Sequence, residues 1–125
     1  MADRLIKMDL FRAESLSGKR TRWSYKLIDS PIDWCEKIMT LADFNPNKVR
    51  LTIEGEEMQP DKRVIVSSFA ELLSFTKKYN ISSCLFKGSY HGNPVDIVVD
   101  FGLKTLYIVA EDSECIESII KGELI

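Results

Sequence analysis

The stretch from Pro94 to Ala110, PVDIVVDFGLKTLYIVA, constrains the fold more than any other part of this chain. Apolar and polar residues alternate with period two on both sides of Gly102-Leu103. That is the pattern of an antiparallel β-hairpin with one dry face and one wet face. A glycine opening a two-residue loop predicts a type II′ turn. The resulting register sets Val99 opposite Leu106, Ile97 opposite Ile108 and Val95 opposite Ala110 on the apolar face. Asp96, Val98 and Asp100 then lie across from Val109, Tyr107 and Thr105 on the other.

Alternation elsewhere gives more strands. Ile6, Met8 and Leu10 oppose Lys7 and Asp9 in a strand from Leu5 to Arg12. Trp23, Tyr25 and Leu27 oppose Arg22, Ser24 and Lys26 in a second from Thr21 to Ile28, with ESLSGKR between them as a long hairpin loop. Val49, Leu51 and Ile53 alternate with Lys48, Arg50, Thr52 and Glu54. Further strands are expected at Arg63–Ser67 and Ser82–Tyr90.

Three helices interrupt them. The first starts at Ser30-Pro31 and buries Ile32, Cys35, Ile38, Met39 and Ala42, leaving Trp34 half exposed at the margin of the stripe. The second starts at a Ser68/Glu71 capping box and buries Phe69, Leu72, Leu73, Thr76 and Tyr79. The third begins at Asp112 or Ser113, with Cys115, Ile116, Ile119 and Ile120 inward. The order is ββα–ββα–βββα. No linker divides residues 1–125, so the expectation is a single α+β domain of two layers. A largely antiparallel sheet carries helices packed on one face, and its other face is left open to solvent or a partner.

Composition narrows the function. With 45% apolar and 29% charged residues the chain is of globular type, and its longest apolar run falls far short of the ~20 residues of a membrane span. The start, MADRLIKMDLF, lacks the apolar core of a signal peptide. Three dispersed cysteines read as buried thiols in a reducing cytoplasm. The net charge of −2 argues against nucleic acid as the main partner, but it is unevenly spread. Residues 1–30 carry +3 and residues 93–125 carry −5. Such a dipole steers association and allows self-association.

Motifs for chemistry are few. A single histidine, His91, excludes His-His metal sites, and GSYHGNP places it in a turn. A pocket near Cys84, Tyr90 and His91 is the one enzyme-like or small-molecule alternative, since a base needs a nucleophile beside it. Asp96 and Asp100 share a strand face but stand roughly 13 Å apart, too far to act as a pair on one bond. Asp100-Phe101-Gly102 spells a kinase motif without the glycine-rich loop or catalytic loop that gives it meaning. Lys19 to Arg22 followed by Trp23 and Tyr25 resembles a base-stacking platform, yet alternation turns both rings toward the core. No cofactor-binding motif occurs.

These exclusions favour a non-catalytic protein-binding module, such as a small cytosolic inhibitor or immunity-type protein. Its expected contacts are the acidic residues Glu54, Glu56, Glu57, Asp96 and Asp100, with Tyr107 and Trp34 adding contact area. The partner is expected to be another protein with a basic surface.

Overall fold

The computed structural model describes residues 5–15, 18–27, 30–41, 44, 46, 48–53 and 62–121. It is an α+β fold in the expected order. The strands are β1 (Leu5–Ser15), β2 (Gly18–Leu27), β3 (Lys48–Ile53), β4 (Lys62–Val66), β5 (Ile81–Tyr90), β6 (Asn93–Asp100) and β7 (Thr105–Ala110). The helices are α1 (Pro31–Met39), α2 (Phe69–Lys78) and α3 (Ser113–Ile119). All seven strands join one sheet in the order β1-β2-β7-β6-β5-β3-β4, and every neighbouring pair is antiparallel.

Residues directly opposite in an antiparallel pair point to the same face, so the register sorts the side chains. One face collects Trp23 and Tyr25 from β2, Leu106, Ile108 and Ala110 from β7, and Val95, Ile97 and Val99 from β6. It continues through Cys84 and Phe86 of β5 and Val49 and Leu51 of β3. None of these is more than 6% exposed. All three helices lie over this face: α3 on β7 and β2, α1 on β6 and β5, and α2 beside α1 and β4. Each fully buried aliphatic side chain contributes about 1.5–3 kcal/mol, and this layer gathers most of them.

The helix starts follow the sequence closely. The Glu71 amide donates to Ser68 Oγ at 3.2 Å, which is the forward half of the capping box. The Glu71 carboxylate reaches back one residue further than expected, accepting from the Ser67 hydroxyl at 3.1 Å. Asp112 caps α3 by accepting from the Cys115 amide at 2.9 Å. Ser30 acts through its backbone instead, its carbonyl accepting from the Asp33 amide at 3.1 Å.

The turns differ from expectation. The β6–β7 register is the predicted one, with Val99 opposite Leu106 and Ile97 opposite Ile108. The connection, however, is a four-residue turn over Phe101–Lys104. Its left-handed residue is Lys104 at φ 50, and Gly102 needs no positive φ. Asp100 Oδ1 accepts from the Leu103 amide at 2.9 Å, and the Lys104 carbonyl accepts from the Leu27 amide at 2.8 Å. Side-chain and cross-strand bonds therefore hold the turn where glycine freedom was expected to. The two-residue turn belongs instead to β5–β6, where His91 at φ 49 and Gly92 at φ 81 give the two left-handed residues of a type I′ turn.

The β1–β2 hairpin is also tighter than expected, pairing out to Ser15 and Gly18. A register shift between Lys7 and Asp9 places Ile6 opposite Lys26 but Leu10 opposite Trp23. The bulge thus breaks the simple alternation of that strand.

Candidate functional site

The face opposite the helices is the first candidate. Its side chains form three rungs across the sheet. The upper rung runs Arg22, Val109, Asp96, Lys87 and the lower runs Lys26, Thr105, Asp100, Ser83, Thr52. Between them lies Ser24, Tyr107, Val98, Leu85, Arg50, Ile65. Tyr107, Val98, Leu85 and Val109 are half-buried, and Ile65 on the edge strand is 57% exposed. The Arg22 guanidinium lies over the Tyr107 ring, 5.1 Å from its centre. This cation–π contact holds the ring at the surface.

The face is of mixed charge. Arg22, Lys26, Arg50 and Lys87 share it with Asp96 and Asp100, so an acidic character is not supplied by the sheet itself. Asp96 lies directly opposite Lys87. Glu54, Glu56 and Glu57 lie outside the described residues. The chain leaves β3 at Ile53, which pairs with Ile81, and re-enters at Lys62 opposite Ile53. That is the end of the sheet where Asp100 also stands.

Trp34 is not at the surface. It is fully buried with Cys35 and Ile38, because the inward stripe of α1 is Trp34, Cys35 and Ile38, with Leu41 buried just beyond the helix. The stripe is turned from the one expected, and Ile32 and Met39 flank it half-buried. Trp34 therefore offers the core volume but gives a partner no contact area.

Cys84, Tyr90 and His91 do not come together. Cys84 and Tyr90 lie six residues apart on β5, which is roughly 20 Å along a strand. Cys84 is buried under α1, whereas His91 is exposed in its turn with its ring edge against Tyr90, centroids 4.2 Å apart. Hydrogen bonding with Cys84, together with burial, pushes the Cys35 thiol far above the ordinary thiol range. Burial, with Asp112 and Glu111 nearby, also raises Cys115. Both shifts oppose the thiolate that nucleophilic chemistry needs. No group of metal-ligating side chains occurs among the described residues.

The structure instead opens a cavity of about 550 Å³ at the end of the sheet, between the α2–β5 joint and the β6–β7 turn. Tyr79, Ser82, Ser83, Asp100 and Phe101 are among its walls. Sequence reasoning missed it because its walls come from segments twenty residues apart that meet only through β5–β6 pairing. The signal available in the sequence is Asp100 directly before a turn.

No helix is long and apolar enough to cross a membrane among the described residues. No family model, curated protein or solved structure matches the chain.

Proposed function

We propose that this chain is a non-catalytic, cytoplasmic protein-binding module of the small inhibitor or immunity type, which neutralises a partner with a basic surface. The observation that carries this reading is the outer face of the sheet, over which no described helix packs. The three helices lie over the other side, while the outer one keeps a half-buried apolar row of Tyr107, Val98 and Leu85 rimmed by charge, with Ser24 and Thr105 buried beside it. Apolar contact area inside a charged rim is the anatomy of a protein interface. Rigid backing from a fully packed inner layer keeps that row preorganised, which lowers the entropy lost on association.

Charge supplies direction. Glu54, Glu56 and Glu57 follow one another closely in the sequence between β3 and β4, and Asp100 is a further acidic residue at the end of β6. Acidic side chains favour a basic partner and orient its approach. Three free cysteines, two of them buried, suit a reducing compartment.

The test immobilises the full chain and captures from extract of its native cell. Wild type is compared with the triple change Glu54→Lys, Glu56→Lys, Glu57→Lys and with Val98→Lys. The expected result is one stoichiometric partner with a Lys/Arg-rich surface, lost from both variants. Partners retained equally by wild type and both variants contradict the reading.

A further inference from the structure

We infer that the cavity between Tyr79 and Phe101 receives an arginine side chain of the partner, an inference that rests on the protein-binding reading above. Among the described residues that line the cavity, Asp100 is the one acidic side chain and none is Lys or Arg. The described lining therefore offers an anionic ligand no cation. An apolar one leaves the Asp100 carboxylate and the polar groups of Asn80 and Ser83 facing hydrocarbon. A cation satisfies the carboxylate, and the hydroxyls and the amide can accept its remaining hydrogen bonds.

Two features select guanidinium over ammonium. Tyr79 and Phe101 are among the lining residues, and a planar, weakly hydrated guanidinium stacks well on aromatic side chains. Tyr79 is itself braced by stacking on Phe75, with centroids 5.9 Å apart. The carboxylate is also held in place, because Asp100 Oδ1 accepts from the Leu103 amide at 2.9 Å. A fixed carboxylate plane suits the two-pronged bonding of arginine, which a point charge on a flexible stem cannot match. The turn carrying it is anchored to β2 through the Leu27 amide and to β5 through the Phe101 amide, which donates to the Ser82 carbonyl at 2.9 Å. The receptor is thus assembled before anything binds.

At about 550 Å³ the cavity lies within the range of ordinary ligand sites and is open enough for a side chain to enter from a neighbouring protein.

The test titrates N-acetyl-arginine amide into the ¹⁵N-labelled full chain and follows backbone amide shifts. Saturable shifts are expected at Phe101, Gly102, Ser82 and Ser83. N-acetyl-citrulline amide, similar in shape but uncharged, is expected to give none. Asp100→Asn retains an oxygen for the Leu103 amide and is expected to weaken binding at least about tenfold with the remaining spectrum unchanged. Free arginine is expected to bind no tighter than the blocked form, as befits a site for a side chain within a polypeptide.

Absent saturation, equal binding of citrulline, an unaffected Asp100→Asn or a marked preference for free arginine each overturns the inference. Lost arginine binding with partner capture intact leaves the protein-binding reading standing. A saturable cavity in a chain that captures no partner sinks that reading and the assignment to a partner's side chain with it.

Discussion

Ile108 and Val109 are neighbours on one strand and live in different surroundings. Ile108 is fully buried beneath the helices, and Val109 lies half-buried on the open side between Arg22 and Asp96. The same division runs through β6 and most of β5 and β7, whereas Ser24 of β2 and Thr105 of β7 are buried although they belong to the outer side. One layer of side chains has been committed to the fold, and the layer one residue out of step has been left for something else. Backbone pairing is shared by both sides, so stability and docking are separable to a degree that a core filled from both faces does not allow.

The largest effect expected from breaking this division is on the buried side. Trp34→Ala empties a wholly enclosed site and should cost about 3–5 kcal/mol, enough to leave the chain marginal or unfolded in a denaturant titration. Ile108→Ala should cost about 2–5 kcal/mol, against less than about 1 kcal/mol for Val109→Ala, measured the same way. Similar losses for the last two would remove the distinction between the faces.

Alkaline pH probes the same layer by charge. Burial, with Glu117 nearby, raises Tyr25 to about 12 from its ordinary value of 10.0. The unfolded chain therefore releases this proton first. The stabilisation is fully present below pH 10 and is lost as pH rises through about 12, to the extent of roughly 2 kcal/mol. Tyr25→Phe should show a flatter decline than wild type between pH 10 and 12. Parallel curves contradict the burial of this phenol.

Smaller effects belong to the helices that roof the inner face. Ser68→Ala and Asp112→Ala each remove a side-chain acceptor from a first-turn amide and should each cost about 1 kcal/mol. Smallest is the open face: Arg22→Ala, which strips the cation from Tyr107, should cost only about 0.5 kcal/mol in stability. A larger loss there means that the outer layer also holds the fold together.

Much of this architecture is legible in the residues. Alternation along Pro94–Ala110 is a local property, so the β6–β7 pairing and the sorting of Val98 from Val99 can be read directly. Helix starts are equally local, and Ser68 and Asp112 announce two of them. What is not local is harder to read. The adjacency of β2 and β7 depends on strands eighty residues apart. The rotation of α1 depends on the surface below it: apolar residues at 32, 34, 35, 38, 39 and 41 allow several stripes, and packing on β5 and β6 selects Trp34.

The candidate site divides along the same line. Tyr107 and Asp96 are placed by alternation, while the cavity beside Asp100 needs the α2–β5 joint to meet the β6–β7 turn. The turn itself departs from the sequence pattern, because Gly102 invites a left-handed residue that the chain places at Lys104.

The division of the sheet is open to one direct measurement. A soluble gadolinium chelate added to the methyl-labelled chain broadens those methyl signals that solvent can approach. The account predicts strong attenuation at Val98, Val109 and Leu85, with Val95, Val99 and Ile108 protected. Equal protection on both faces would contradict it, because the outer layer would then be covered and no surface would remain for a partner.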